Sequence, residues 1–190
     1  MTKLLLTSFL AANCSLFGAE EAQRYEFRVL ATTKTSTMEK EMNDVAKSGY
    51  VFQSVMGGET AVGGKEVVVI MARAATPSTK VYKLLAANKT STLEKEMQRM
   101  AEEGFDYKGQ TVFESTFGGR EVCVIMERDK EAAHKPNQYR LLATSRTSTM
   151  EKELAEAGSQ GFAVVGMTVS KTAFGGNEVV CILKRATAAE

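Results

Sequence analysis

The sequence KTSTMEKE at residues 34–41 recurs as KTSTLEKE at residues 89–96 and as RTSTMEKE at residues 146–153. The residues around each copy also correspond, and the same spacing holds at both ends of the matching stretches. Internal repetition of this kind indicates a protein built from copies of one structural unit. The three units that we assign are Tyr25–Arg73, Lys80–Arg128 and Asn137–Arg185.

Each unit opens with a pattern that is typical of a β-strand. Tyr25, Phe27, Val29 and Ala31 alternate with Glu26 and Arg28, which is the period of a strand with one buried face. The other units repeat the pattern around Tyr82 and Tyr139.

The repeated motif itself predicts the start of an amphipathic helix. Ser36 and Glu39 have the spacing of a capping box, in which both side chains accept hydrogen bonds from free backbone N–H groups. The copies of this pair are Ser91 with Glu94 and Ser148 with Glu151. Apolar residues follow at helical spacing, and we expect them in the core: Met38, Met42 and Val45; Leu93, Met97 and Met100; Met150, Leu154 and Ala157. The glycines predicted to end the helices are Gly49, Gly104 and Gly161.

A glycine pair predicts a β-hairpin in the second half of each unit. A two-residue turn at Gly63–Gly64 would place Thr60 opposite Val67 and Met56 opposite Met71. The equivalent pairs are Gly118–Gly119 and Gly175–Gly176.

These elements predict an α+β fold of three tandem βαββ repeats. A helical crossover makes the first two strands of a unit parallel, so we expect the third strand between them, in the order 1-3-2 with antiparallel neighbours. That third strand, Val67–Met71 in the first unit, is apolar on both faces, whereas its own helix can cover only one. We therefore expect the other copies to cover the second face, in one pseudo-threefold body.

Residues 1–19 have a different character from the repeats. Lys3 precedes the apolar stretch Leu4–Ala12, and Ala19 is suited to the last position before a cleavage site. This pattern predicts a secretory signal peptide, and the apolar stretch is shorter than the ~20 residues of a membrane span. We expect a periplasmic or secreted protein with no transmembrane segment; a buried N-terminal segment is the alternative.

The three cysteines do not form a disulfide framework. Cys14 follows a partial lipobox, but Asn13 stands where a small residue belongs, so we do not expect lipidation. Cys123 and Cys181 occupy neighbouring, not equivalent, positions of the repeat, and neighbouring strand residues face opposite ways. We expect two buried thiols.

The unit resembles a small uncharacterised bacterial family, domain-of-unknown-function family four-one-seven-seven. The resemblance rests on Tyr139–Leu142 at the start of a unit, Gly161–Phe162 after the helix and Ile182–Arg185 at the end. That family usually has Gly-Trp-Glu after the helix, and this chain has no tryptophan. The resemblance implies a βαββ fold and implies no activity, because the family has none assigned.

Composition excludes several classes of site. The net charge is +1 with both signs mixed along the chain, so no basic surface indicates a nucleic-acid partner. The only histidine, His134, lies in a linker, which excludes Ser-His and Cys-His catalysis in at least two units. Cysteine and histidine pairs at ligand spacing are lacking as well, so we expect no metal and no cofactor.

One candidate ligand site is the repeated motif. It places a cation and three hydroxyl groups at a helix start, where free N–H groups and the helix dipole favour phosphate, sulfate or an acidic polymer. Against this, Ser36 is expected to cap the helix, and Glu39 and Glu41 would place negative charge in the same first turn. The candidate residues are Lys34, Thr35, Ser36, Thr37, Lys89, Thr90, Ser91, Thr92, Arg146, Thr147, Ser148 and Thr149.

Two classes of function stay open at this point. The first is a non-enzymatic exported repeat protein that binds a partner protein, an envelope component or a small ligand. The second is an enzyme that uses glutamates recurring in the units, either Glu66, Glu121 and Glu178 after the turn or Glu39 and Glu41 in the motif. We favour the first; a purely structural or stress-related role is a further alternative, and the sequence leaves the oligomeric state open.

Overall fold

The computed structural model describes residues 25–60, 64–74, 78–114, 120–133, 136–171 and 177–187. The predicted signal peptide, Cys14, His134 and the glycine pairs of the second and third units lie outside these ranges. The elements, in chain order, are β1 (Phe27–Thr32), α1 (Thr35–Lys47), β2 (Tyr50–Thr60), β3 (Gly64–Arg73), β4 (Lys80–Ala87), α2 (Thr90–Glu102), β5 (Asp106–Glu114), β6 (Arg120–Asp129), β7 (Asn137–Thr144), α3 (Thr147–Ser159), β8 (Ala163–Lys171) and β9 (Asn177–Ala186).

The predicted fold class is confirmed. Each unit is βαββ, and its three strands form an antiparallel sheet in the order β1-β3-β2, β4-β6-β5 or β7-β9-β8. The central strand of every sheet is the last strand of its unit, as its continuous apolar sequence indicates.

The helices begin earlier than the predicted capping box requires, so that prediction is wrong. Lys34 is the N-cap of α1, with an extended backbone and no side-chain capping hydrogen bond. Its carbonyl accepts the first helical hydrogen bond, from the N–H of Met38. Ser36 is therefore already inside the helix, and Glu39 lies beyond the first turn, which holds no acidic residue. The other two helices begin in the same way, at Lys89 and Arg146.

The predicted helix ends are confirmed. Gly49, Gly104 and Gly161 have φ of +87°, +89° and +82°, which is the left-handed conformation of a C-terminal glycine cap. In α2 the N–H of Phe105 donates to the carbonyl of Met100 at 2.9 Å, which is the six-to-one bond of a Schellman motif.

An arginine and an aromatic residue close every unit at this point. The Arg73 guanidinium lies 4.6 Å from the centre of the Tyr50 ring and donates to the Ser48 carbonyl at 3.1 Å. It therefore adds a cation–π contact and a hydrogen bond to the helix end. The same arrangement recurs as Arg128 with Phe105 and Glu103, and as Arg185 with Phe162 and Gln160.

The hairpin register differs from the predicted one. Thr60 pairs with Gly64, and Met56 pairs with Val68 instead of Met71, so Gly64 belongs to the strand and not to a two-residue turn. A register shift also falls between Phe52 and Ser54. A one-residue change in strand register moves side chains to the other face. In the observed register, Met56 lies on the side of the sheet opposite α1. The need to bury the side that α1 covers therefore determines how β2 pairs with β3.

Each of the first two helices lies between two sheets. One core cluster surrounds α1 and combines residues of the first and second units: Met38, Met42, Val67, Val69, Tyr82, Cys123 and Ile125. A second cluster surrounds α2 and combines the second and third units: Leu93, Met97, Val122, Val124, Tyr139, Leu141 and Ile182. The single body expected from sequence is therefore a stack of alternating layers, in which a helix covers its own sheet and the next one.

The second-face cover predicted for the central strands is confirmed in two units. In β6, residues Val122 to Met126 are all buried, because α1 covers one face and α2 the other. The prediction is wrong for β3, in which Ile70 is 38% exposed. Among the described residues, no helix precedes the first sheet to cover that side.

The predicted state of the cysteines is confirmed for the described pair. Cys123 and Cys181 are both buried and free. Cys123 packs in the cluster around α1, whereas Cys181 packs beneath α3. The two thiols lie in different layers of the stack.

Candidate functional site

The glutamate of the repeated motif joins one unit to the next. Glu39 accepts hydrogen bonds from the Lys83 ammonium at 2.8 Å and from the backbone N–H of Leu84 at 3.1 Å. One unit later, Glu94 accepts from the N–H of Leu141 at 2.7 Å. The two bonds to backbone N–H groups reach the outer edge of the next unit's first strand.

An amide one helical turn further on makes a second contact with the same strand edge. The side-chain amide of Asn43 donates to the carbonyl of Tyr82 and accepts from its N–H, both at 3.0 Å. Gln98 accepts from the N–H of Tyr139 at 3.1 Å in the next layer. In α3 the equivalent residue is Ala155, which is exposed.

Tyrosine hydroxyl groups bind the irregular strand of the preceding unit. The Tyr82 hydroxyl accepts from the N–H of Phe52 at 2.9 Å, and the Tyr139 hydroxyl accepts from the N–H of Tyr107 at 2.8 Å. Both N–H groups lie beside the register shift of their strand. The first unit has Phe27 at the equivalent position, without a hydroxyl group.

Glycines allow the second strands of successive units to pack closely. A Cβ atom on Gly109 would lie 3.0 Å from the Phe52 ring, and one on Gly166 would lie 2.1 Å from the Tyr107 hydroxyl. The first unit has the exposed Ser54 at this position. The glycine is thus present in the two units that have a preceding layer.

Charged groups complete the contact between the second and third units. Asp106 accepts from the Tyr139 hydroxyl at 2.5 Å, from the Lys184 ammonium at 2.9 Å and from the Asn137 amide at 3.0 Å. Burial favours the neutral carboxyl, but the hydrogen bonds from Tyr139 and Lys184 outweigh it and hold the pKa of Asp106 below its usual value. Asp106 is therefore an ionised anchor between two layers.

A different charged group occupies the contact between the first and second units. Glu127 is 8% exposed and lies 3.5 Å from the Lys80 ammonium and 3.3 Å from that of Lys108. These lysines compensate the charge that the sheet buries.

The first layer presents an apolar surface, which we call the N-terminal face and define by Phe27, Val29, Met56 and Ile70. Their side chains are 56%, 66%, 65% and 38% exposed, and the Tyr25 ring stacks on Phe27 at 5.9 Å between ring centres. All four lie on the side of the sheet opposite α1. The corresponding residues of the second and third units lie on the face directed towards the preceding layer: Tyr82, Leu84, Thr111 and Ile125; Tyr139, Leu141, Thr168 and Ile182.

The last layer presents a second surface, the C-terminal face, defined by Val164, Met167 and Val169 together with the outer side of α3. The three strand residues are 53%, 68% and 57% exposed. They lie beside α3, because Met167 pairs with Cys181, which packs beneath that helix. On α3 itself, Gly158 is exposed where α1 and α2 carry a buried alanine.

The twelve residues predicted to bind an anion lie at the starts of the three helices, in successive layers. Lys34, Lys89 and Arg146 are exposed N-cap residues, and the threonines and serines form the first turns. The predicted repulsion by Glu39 is wrong, since Glu39 lies beyond the first turn and binds the next unit. Nothing tests anion binding, and it stays a prediction.

The recurring glutamates have unequal environments. Glu39 and Glu94 serve the contacts between layers, whereas Glu151 is exposed. Glu66, Glu121 and Glu178 are partly buried at the starts of the central strands. Catalysis by these glutamates stays a prediction.

Sequence reasoning missed both end faces. The signal was present at four positions where an end unit departs from the other two: Phe27, Ser54, Ala155 and Gly158. Phe27, Ala155 and Gly158 each lack a group at a place where an internal unit contacts its neighbour. Ser54 instead adds a side chain where an internal unit has a glycine.

Comparisons with known proteins found no match. No family model, curated protein or solved structure matches the chain, so the resemblance to the uncharacterised βαββ family stays a prediction. Over the described ranges, no helix is long and apolar enough to cross a membrane. Nor do the residues in those ranges bring together three or more metal-binding side chains.

Proposed function

We propose that the protein is a non-enzymatic, exported repeat protein that binds a macromolecular partner through its end faces. One observation carries this proposal. Within the described residues, every large apolar side chain that is exposed belongs to the N-terminal or C-terminal face or stacks on it. Contiguous exposed apolar surface is typical of protein-binding sites.

The polar groups of the interior support a binding role over a catalytic one. Glu39, Glu94 and Asp106 hold layers together and are occupied by hydrogen bonds. Burial raises the pKa of the Cys123 thiol to about 12, which keeps that group a poor nucleophile. Each of these groups already has a structural partner or a structural position in the core.

Export is the cellular part of the proposal and rests on Lys3, the apolar stretch Leu4–Ala12 and Ala19. Intact-mass analysis of the protein from its native host should show loss of the predicted signal peptide, residues 1–19. A full-length species in the cytoplasm would contradict export.

Photo-crosslinking in the native host tests the binding role. A photoreactive residue at Met56 lies on the N-terminal face, and one at Lys95, exposed on α2, serves as the matched control. We expect crosslinked products of higher mass from position 56 and not from position 95. No product from position 56, or the same products from both, would contradict binding through this face.

A further inference from the structure

We propose that the partner is a second copy of the chain, whose C-terminal face docks on the N-terminal face of the first. Chains would then associate head to tail and continue the internal stack of layers. This inference rests on the proposed function, because the two faces are its binding surfaces.

The distribution of apolar surface favours this pairing. The N-terminal face is the outer side of a sheet, which in the second and third units is covered by a helix and strand of the preceding unit. The C-terminal face is such a helix and strand, and no sheet follows it among the described residues. Docking one on the other buries Val164, Met167 and Val169 together with Phe27 and Val29, and leaves neither of the two docked faces exposed.

The residues that would meet at the close strand contact between two chains have complementary sizes, but they are not the aromatic and glycine pair of the internal contacts. Inside the stack, an aromatic residue faces a glycine, as Phe52 faces Gly109 and Tyr107 faces Gly166. At the two ends, the equivalent residues are Val164 and Ser54. The smaller valine leaves room for the larger serine, so the summed volume is similar.

Charge is complementary as well. Within one chain, Glu39 accepts hydrogen bonds from the side chain of Lys83 and from the backbone N–H of Leu84. The equivalent residues at the ends are Glu151 on α3 and Arg28 with Val29 on β1, and all three are exposed. Arg28, whose guanidinium lies over the Tyr50 ring, and the outer edge of β1 are therefore the equivalents that would receive Glu151 of a second molecule.

The contact between chains should be weaker than the contacts within one chain. Ala155 lacks the amide of Asn43 and Gln98, and Phe27 lacks the hydroxyl of Tyr82. We therefore expect reversible association. A head-to-tail contact joins two different surfaces, so it produces rings or open filaments instead of a symmetric dimer.

Two variants, each with one introduced cysteine, test the pairing directly in the full chain with Cys14→Ser. Ser54→Cys marks the N-terminal face and Val164→Cys the C-terminal face, while Cys123 and Cys181 are buried. Under air oxidation we expect the mixed variants to form disulfide-linked dimers of one Ser54→Cys and one Val164→Cys chain. Lys95→Cys, away from both faces, should not crosslink.

Light scattering over a concentration series completes the test. We expect the mean mass of the wild-type protein to rise with concentration, and Met167→Glu to raise the dissociation constant about tenfold or more, because a charge would be buried unpaired. Crosslinking of Ser54→Cys with itself would indicate a face-to-face dimer and overturn the head-to-tail proposal. A monomer at every concentration would also overturn it. In either case, photo-crosslinking from Met56 to a different protein would leave the proposed function standing.

Discussion

Glu94 accepts a hydrogen bond of 2.7 Å from the backbone N–H of Leu141, a residue of the following unit. Glu39 makes the same bond to Leu84 at 3.1 Å, and Glu151, the third copy, is exposed at the end of the stack. The glutamate that the sequence presents as part of a helix cap therefore holds neighbouring layers together.

Replacing this glutamate should lower the free energy of unfolding only where the glutamate binds the next unit. We expect Glu94→Ala to lower the free energy of unfolding by about 1.5–3 kcal/mol, because the partly buried N–H of Leu141 loses a charged acceptor. Urea denaturation at low protein concentration measures the change. Glu151→Ala is the matched control and should change the free energy by less than about 0.5 kcal/mol. Equal losses in both variants would refute a role in joining layers.

The tyrosine hydroxyl groups between layers give a second prediction. Tyr82→Phe removes the acceptor for the N–H of Phe52 and should cost about 1–3 kcal/mol, since that N–H is left without a partner. The reverse change, Phe27→Tyr, adds a hydroxyl to an exposed ring and should be close to neutral. Thermal denaturation measures the melting temperatures of the two variants. Similar values would contradict a stabilising hydrogen bond between the Phe52 N–H and the Tyr82 hydroxyl.

The carboxylate of Asp106 should make the stability of the folded protein depend on pH. Its pKa is lowered in the folded protein, so its contribution is present above the ordinary carboxyl pKa and is lost as the pH falls through the lowered value. We expect Asp106→Asn to be less stable than wild type at neutral pH, with a difference that shrinks in acid.

The matched control for this pH dependence is Asp44→Asn. Asp44 also has a lowered pKa, because of hydrogen bonds from Lys40 and Lys47, but all three groups lie on the exposed side of α1. Solvent screening should keep that difference small at every pH. A pH-independent difference for Asp106→Asn would contradict its ionised state in the interface.

Two glycines should respond in opposite ways to alanine. A Cβ atom on Gly158 meets nothing within 4 Å, so Gly158→Ala should stabilise α3 by about 1 kcal/mol through helix propensity. A Cβ atom on Gly57 would lie 2.1 Å from the Val112 carbonyl oxygen, so Gly57→Ala should destabilise by about 1–3 kcal/mol. Denaturant midpoints measure both, and effects of the same sign would count against the packing described for β2 and β5.

Much of each unit could be predicted because its signals are local. The apolar stripe of Met38 and Met42 fixes the buried side of a helix, and Gly49 fixes its end. The helix start was misplaced because Ser36 and Glu39 fit a capping box by spacing, while the backbone turns into the helix at Lys34. Spacing alone does not reveal that a carboxylate has a better partner in another unit.

The hairpin register and the end faces could not be predicted for a different reason. A glycine pair indicates a turn, but the side of the sheet that must be buried sets the register, as Met56 illustrates. Each contact between layers joins residues of two units, so a single unit does not specify it. Only the departures at Phe27, Ser54, Ala155 and Gly158 carried that information.

Amide hydrogen exchange at three equivalent positions tests the layered arrangement most directly. The backbone N–H groups of Leu84 and Leu141 bind the glutamate of the preceding helix, whereas Val29 lies on the N-terminal face, which no described helix covers. At low protein concentration, the layered arrangement predicts slow exchange at Leu84 and Leu141 and fast exchange at Val29. Equal exchange rates at the three positions would contradict it.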